Sequence, residues 1–268
     1  MPIYVICHQE LPCFSLPAEA EIIWLNATPP VNPDGRKIHY GYDLIPEGQT
    51  LHQKLSGGFG PMVINHLLQT TAQSDECVTL WQYRKFVTRE RYGRPSNVYG
   101  GTHELSVAEA ASLVPSADPE PGQSLLFSSL LQVGSLYQQY VECHHIADLL
   151  RYTALAVDLG VLTAAESHTF LQCPWLVIGG IELGTYPLSW WQETFSALEK
   201  VATAFIAQHQ PVNVADPYQK RALAFCQERL GSFLLLRDVT ATCNNNIPKN
   251  LFGTVHSVTS SGVYQRGV

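Results

Sequence analysis

Residues 78–86 have the sequence Val-Thr-Leu-Trp-Gln-Tyr-Arg-Lys-Phe, a short apolar run that ends in two adjacent cations flanked by aromatic rings. An apolar run of this length, bounded by polar residues, predicts a buried strand. Arg84 and Lys85 would then stand at the mouth of that strand, where an open α/β sheet holds its ligand. Beside aromatic rings such as Tyr83, they suit an anion carried on a flat group, for example a nucleotide diphosphate. The alternative is a strand that simply surfaces into solvent.

Strand-like and helix-like segments alternate along the chain. Further strands are predicted at 3–7, 21–25, 125–127 and 175–181, and helices at 61–73, 106–113, 135–159, 163–171, 189–209 and 217–236. This alternation predicts an α/β fold, a single compact domain over residues 1–240 with a mainly parallel twisted sheet flanked by helices. Residues 241–268 are Asn-rich and then Ser/Gly-rich, which predicts a poorly ordered C-terminal tail.

Composition narrows the functional classes. A net charge of −7 over 268 residues argues against a general nucleic-acid binder. No apolar run approaches the length of a membrane span, and the N-terminus lacks the pattern of a signal peptide. The seven cysteines form no Cys-x-x-Cys pair and suggest reduced, mostly buried thiols. We therefore expect a cytoplasmic protein; peripheral membrane association, metal dependence and oligomeric state stay open.

Two helical segments contain candidate site residues. In the first, His144 and His145 precede Asp148 by four and three residues, so on a helix the carboxylate can orient an imidazole. Two ligands are too few for a zinc site, and the alternative is a polar helix face. In the second, Arg221 and Glu228 share one face of a helix that is apolar nearly all round. Such a buried pair must engage a ligand or form a structural ion pair.

A glycine pair marks a third candidate. Gly179 and Gly180 interrupt the predicted strand at 175–181, and glycine within a strand often marks a close backbone approach to a ligand. Glu182 follows and could accept hydrogen bonds from hydroxyl groups. The alternative is a β-bulge. The chain has no phosphate-binding glycine loop, no nucleophile elbow, no His-Glu-x-x-His and no Asp-x-Asp.

Taken in order, these segments resemble a known family. The N-terminal Tyr-Val-Ile-Cys-His, the Tyr-Arg-Lys-Phe at 83–86, and Arg-x-x-x-Phe-x-x-Glu-Arg-Leu at 221–230 are similar to motifs of the DUF4422 domain, a bacterial glycosyltransferase family found among capsule and O-antigen genes. The resemblance spans roughly residues 3–236. Gln82 stands where the family usually has His, Lys85 where it has a second Arg, and Ala224 where it has Gly.

The resemblance implies a divergent member with a compact, GT-A-like architecture that uses a nucleotide-sugar donor and a glycan acceptor. It implies a diphosphate site at Arg84 and Lys85, where the cations would neutralise the leaving group. The predicted donor-binding set is Tyr83, Arg84, Lys85, His8, Gly179 and Gly180. Glu228 would be a base on the acceptor hydroxyl or a sugar contact, oriented by Arg221 or Arg229. The predicted sugar-binding or acceptor-binding set is His144, Asp148 and Glu182.

Two other functions stay open from the sequence. One is a non-catalytic member that binds a sugar nucleotide or a protein partner, which the drifted motifs and the missing Asp-x-Asp favour. The other is a metal-dependent hydrolase built on His144, His145 and Asp148. No metal ligands are assigned for the transferase function, although a carboxylate such as Glu182 can help to hold a divalent ion through phosphate oxygens.

Overall fold

A computed structural model describes residues 1–31, 35–69, 77–213, 215–260 and 262 of the chain. Its strands are β1 Ile3–Cys7, β2 Ala20–Trp24, β3 Ile38–Tyr40, β4 Cys77–Gln82, β5 Lys85–Thr88, β6 Arg94–Pro95, β7 Thr102–Ser106, β8 Leu126–Phe127, β9 Leu130–Gln132, β10 Trp175–Val177, β11 Gly184–Pro187 and β12 Thr254–Thr259. Its α-helices are α1 Gly41–Leu44, α2 Gly48–Leu55, α3 Phe59–Gln69, α4 Val107–Ala111, α5 Leu136–Cys143, α6 Ile146–Asp158, α7 Ala164–Gln172, α8 Leu188–Gln208 and α9 Ala222–Thr242. Turns of 3₁₀ helix lie at Ser56–Gly58, Gln219–Arg221 and Lys249–Leu251.

The larger sheet is mixed, with the order β3-β2-β1-β4-β5-β12-β7-β6. β1 pairs in parallel with both β2 and β4, β2 pairs in parallel with β3, and β12 pairs in parallel with β7. β4 and β5 form an antiparallel hairpin, and β11 adds to the same sheet antiparallel to β4. The predicted α/β class with a mainly parallel sheet flanked by helices is confirmed. The carboxyl ends of β1, β2 and β4 meet at one edge, which is the ligand-binding edge of open α/β sheets.

Burial on both faces explains why β1 is a continuous apolar run. Tyr4 and Ile6 pack into the core formed with α3, α6, α8 and α9. Ile3, Val5 and Cys7 pack on the other face, which the segment 8–19 and α4 cover. The strands predicted at 3–7, 21–25, 78–81 and 125–127 are confirmed to within one or two residues. The helix predicted at 61–73 is confirmed as far as Gln69, and its last residues lie outside the described ranges.

The strand predicted at 175–181 is wrong in place and length. β10 ends at Val177 and pairs antiparallel with β9 in a separate two-stranded sheet. Residues 178–182 form turns instead, because Gly179 and Gly180 adopt φ of 78° and 56°. Glycine adopts this left-handed backbone readily, whereas residues with a side chain rarely do. A left-handed backbone is incompatible with an extended strand, so the strand ends before Gly179.

The single helix predicted at 135–159 is interrupted. α5 ends at Cys143, His144 is extended with ψ of 171°, and α6 starts at Ile146. His145 caps α6, since its Nδ1 accepts a bond of 3.3 Å from the N–H of Ala147. The segment contains no glycine or proline, so its local sequence does not predict the break. Contacts of the His144 ring with α9, described below, hold the chain in this conformation.

The expectation of a poorly ordered tail is wrong for Thr254–Thr259. This segment is β12, which pairs with β5 and β7 inside the larger sheet. Its His256 is fully buried, stacks on Phe86 at 4.9 Å between ring centroids, and accepts from the N–H of Tyr92. Burial lowers the pKa of His256 to about 4, so the imidazole is neutral in the core. The strand therefore contributes to the fold of the domain.

Candidate functional site

His8 and Tyr83 stand side by side at the carboxyl edge of the parallel strands. His8 directly follows β1 and Tyr83 directly follows β4, and their rings meet edge to face at 4.8 Å between centroids. Burial lowers the pKa of His8, and the cations Arg84 and Arg221 lower it further. A neutral imidazole at this edge can donate or accept a hydrogen bond at neutral pH.

Arg84 and Lys85 lie in and beside a hairpin turn rather than at the end of an isolated strand. Arg84 belongs to the two-residue turn between β4 and β5, and Lys85 opens β5. The Nη2 atom of Arg84 lies 3.0 Å from Oε1 of Glu10, and its guanidinium lies 5.1 Å from the centre of the Tyr83 ring. Arg84 and Glu10 are both largely exposed, and such pairs contribute little to stability. An incoming anion can therefore displace Glu10.

The glycine turn holds Glu228 in place. The N–H of Gly179 donates to Oε1 of Glu228 at 2.9 Å. Gly180 lies against the backbone of α9, where a Cβ would be 2.7 Å from the carbonyl oxygen of Glu228. The close approach predicted for these glycines is thus made to α9 of the same chain. Their direct contact with a donor stays a prediction.

Glu182 and Glu228, called the carboxyl pair below, interact electrostatically, and two cations, Arg221 and Lys85, also act on Glu182. Glu182 is partly buried, and a Cβ on Gly57 would lie 3.5 Å from its Oε2 atom. Burial first, and then the charge of Glu228, raise the pKa of Glu182, while Arg221 and Lys85 lower it; the result is a pKa of about 8. The turn that contains Glu182 binds Glu228 through Gly179 and leads into β11, whose Gly184 lies opposite Leu80 of β4, so residues far apart in sequence come to the same edge of the sheet. At neutral pH Glu182 is mostly protonated and can donate a hydrogen bond.

The two arginines near Glu228 differ in accessibility. Arg221 is exposed, and its Nε donates to Oγ of Ser56 at 3.2 Å. Arg229 is only 3% exposed, and its guanidinium donates to Oε1 of Gln139 and to the carbonyl of Phe225. Its Nη1 atom also lies 3.8 Å from Oε2 of Glu228. Arg229 is therefore placed to position Glu228, whereas Arg221 is open to a ligand.

His144 and Asp148 do not form the pair that helical spacing predicted. The ring of His144 stacks on Phe225 at 4.1 Å between centroids, and burial lowers its pKa to about 4. Asp148 is 1% exposed, and its carboxylate accepts from the N–H of Val212 at 3.1 Å. Burial raises the pKa of Asp148. The orienting contact between them is wrong because the chain breaks at His144; a sugar contact for either stays a prediction.

A cavity of about 350 Å³ lies between the carboxyl ends of β1 and β2, and Glu10, the partner of Arg84, lines it. Its lining is Gln9, Glu10, Leu11, Trp24, Asn26, Thr28, Pro29, Pro30 and Val31. A smaller cavity of about 100 Å³ shares Glu10 and Leu11 with it and reaches Tyr83 and Arg84. Reasoning from the sequence missed this lining. The available signal was Asn26, a polar residue directly beyond an apolar strand, followed by two prolines.

Metal clusters and membrane-spanning helices are both missing from the part of the chain that the structure describes. No group of three or more His, Cys, Asp or Glu there is arranged to hold a metal ion. No helix in the described ranges is both long and apolar enough to cross a membrane.

Fold and site together define an α/β protein whose polar groups gather at the ligand-binding edge of its sheet. A solved structure, the apo form of the bifunctional glycosyltransferase WbbM, matches with a TM-score of 0.67 at 11% sequence identity. The match covers 97% of this chain and 46% of WbbM, so the chain spans about half the length of that protein. No protein-family model matches the chain. No curated protein matches it either.

The protonation of Glu182 predicts a pH-dependent stability. The folded protein keeps a proton on this group between pH 4.5 and about 8, whereas the unfolded chain has lost it. The free energy of unfolding should therefore fall as pH rises through this range. We expect Glu182→Gln to remove this decrease of the unfolding free energy with pH, measured by urea unfolding at several pH values. Glu193→Gln, on an exposed position of α8, should keep it. Equal slopes in wild type and Glu182→Gln would contradict the assignment.

Proposed function

We propose that the protein is a glycosyltransferase that moves a sugar from a nucleotide-diphosphate donor to a hydroxyl group of a glycan, in surface-polysaccharide synthesis. The observation that carries the proposal is that the turn at Gly179, which binds Glu228, leads through Glu182 into β11, and that β11 pairs with β4 beside the hairpin of Arg84 and Lys85. Of these residues, Arg84 and Glu228 also lie in the segments that resemble DUF4422 motifs, which supports the proposal. The glycosyltransferase fold of WbbM supports the reaction class.

The donor fits along the edge from β2 to β5. The cavity of about 350 Å³ lies at the small end of ligand-site volumes and suits the nucleoside. Arg84 and Lys85 follow along the same edge, where they can bind the diphosphate after Glu10 is displaced. Arg is suited to this contact because its planar guanidinium can bind two phosphate oxygens at once. The anomeric carbon would then lie toward Glu182 and Glu228.

In the transfer step, Glu228 accepts the proton of the acceptor hydroxyl. The acceptor oxygen forms a bond to the anomeric carbon while the bond from that carbon to the phosphate oxygen breaks. The electron pair of the broken bond stays on the nucleoside diphosphate, whose charge Arg84, Lys85 and Arg221 neutralise. The hydrogen bond from Gly179 and the contact with Arg229 fix the carboxylate of Glu228 for this role.

Glu182 takes a different role from Glu228 because its surroundings differ. Its raised pKa of about 8 keeps a proton on it at neutral pH. A protonated carboxyl can donate a hydrogen bond to a sugar hydroxyl, and two carboxyls with separated roles are a known device of sugar chemistry. The buried thiols of Cys7 and Cys226 fit the reducing, cytoplasmic location in which we place the reaction.

The donor site can be tested by thermal unfolding with nucleoside diphosphates and sugar nucleotides, with and without Mn²⁺. A ligand at 100 times its Kd adds about 2.7 kcal/mol and raises Tm by about 5 to 10 °C for a chain of this size. We expect Arg84→Ala to abolish most of this rise. Arg151→Ala removes an exposed cation on α6 and should leave it intact.

The outcomes of this screen separate the candidate functions. Stabilisation that Arg84→Ala leaves unchanged would contradict the diphosphate site. Binding without any turnover of a sugar nucleotide would favour the non-catalytic alternative. A screen in which no nucleotide stabilises the protein would count against the transferase.

A further inference from the structure

Three aromatic rings stack where α5, α6 and α9 meet, and we call Tyr218, His144 and Phe225 the aromatic stack. His144 lies 4.1 Å from Phe225 and 5.5 Å from Tyr218 between ring centroids, with interplanar angles of 20° and 25°. Tyr218 and Phe225 are 5.0 Å apart. Tyr218 is 50% exposed and His144 is 9% exposed. The stack therefore has a fixed base and a face that is open to solvent.

The aromatic stack borders the carboxyl pair. Phe225 and Glu228 are three residues apart on α9 and both are partly buried, so they lie on one face about 4.5 Å apart along the helix axis. Arg221 lies one turn earlier, with its guanidinium 5.3 Å from the centre of the Phe225 ring. The charge of Arg221 also reaches His8, whose pKa it lowers. Arg221 thus connects the stack with the edge of the sheet.

The stack is separate from the place assigned to the nucleoside. The residues that line the two cavities beside β1 and β2 do not include Tyr218, His144 or Phe225. The donor as placed above therefore leaves the stack unoccupied. A second substrate must approach Glu228 from another direction, and the stack lies on the side of Glu228 toward the start of α9.

We propose that the aromatic stack binds a sugar ring of the acceptor glycan, with the outer face of Tyr218 as the main contact. This inference rests on the proposed function. The C–H face of a pyranose ring is apolar and packs on aromatic rings, which supply a large contact area at low entropic cost. Because the pKa of His144 is lowered to about 4, the stack is uncharged at neutral pH. Arg221 supplies hydrogen-bond donors for the sugar hydroxyls at the edge of the stack.

The test uses methyl α- and β-hexopyranosides as probes in saturation-transfer NMR on the whole chain. We expect at least one of them to bind wild type through its ring protons. Tyr218→Ala should weaken this binding about tenfold, while Tyr218→Phe, which keeps the ring, should retain it. Tyr137→Ala removes a similarly exposed ring on α5 and should have no effect. Thermal unfolding of each variant checks that the fold is kept.

The outcomes distinguish this proposal from the proposed function. Glycoside binding that is equal in wild type and Tyr218→Ala, or absent from wild type, overturns the stack as a sugar site. The transferase would still stand in that case if sugar nucleotides stabilise the protein through Arg84. Conversely, glycoside binding lost in Tyr218→Ala supports the stack even when no nucleotide binds. That result would point to a carbohydrate-binding protein without donor chemistry.

Discussion

Glu228→Gln is expected to reduce sugar-nucleotide turnover about 10²- to 10⁴-fold, the usual contribution of a general base. Glutamine has nearly the same shape and keeps an oxygen that can accept the hydrogen bond from Gly179. The variant cannot take the proton of an acceptor hydroxyl, so the chemical step should slow while donor affinity changes little. The measurement is kcat and KM for donor, with nucleoside diphosphate release as the readout.

The pH dependence of stability tests the role of Glu228 independently of the turnover assay. The charge of Glu228 raises the pKa of Glu182, so its removal should lower that pKa from about 8. The range of pH over which stability falls should then end at a lower pH in Glu228→Gln. Glu193→Gln is the matched control on an exposed face of α8 and should change neither quantity. Turnover of Glu228→Gln at the wild-type rate would remove the base assignment.

The strands of this fold were predictable because burial leaves a local signature. The apolar runs of β1, β2 and β4 are short, end in polar residues and recur at the spacing of an α/β domain. β12 gave no such signature, since only Val255 and Val258 are apolar among its six residues. Its place in the sheet depends on pairing with β5 and β7. These strands are far away in sequence, and no local pattern predicts the pairing.

The candidate site residues were found singly, but their convergence was not predictable. Glu182 and Glu228 were noted for different reasons, and the packing of the turn at Gly179 and Gly180 against α9 brings their segments together. The break at His144 likewise follows from stacking on Phe225, a contact between helices. Tertiary contacts of this kind override helix propensity, which is a weak determinant by comparison.

Gly180→Ala is expected to lower the free energy of unfolding by about 2 to 5 kcal/mol. The φ of 56° costs an alanine about 1 to 2 kcal/mol, and the new Cβ would be 2.7 Å from the carbonyl oxygen of Glu228, an overlap that typically costs about 1 to 3 kcal/mol more. The backbone of α9 cannot retreat easily because the helix is buried nearly all round. Urea unfolding measures the change.

Gly160→Ala separates the two causes. Gly160 has a similar φ of 72° and is exposed, and a Cβ added there would have none of the described atoms within 4 Å, so alanine should cost only about 1 to 2 kcal/mol. The additional loss of unfolding free energy in Gly180→Ala, compared with Gly160→Ala, then measures the contact of Gly180 with Glu228. Because a shift of about 1 Å at a catalytic group can cost about 10²-fold in rate, Gly180→Ala should also lose turnover while Gly160→Ala keeps it. Equal stability losses in the two variants would show that Gly180 does not press on α9, and the turn would then position Glu228 through the hydrogen bond from Gly179.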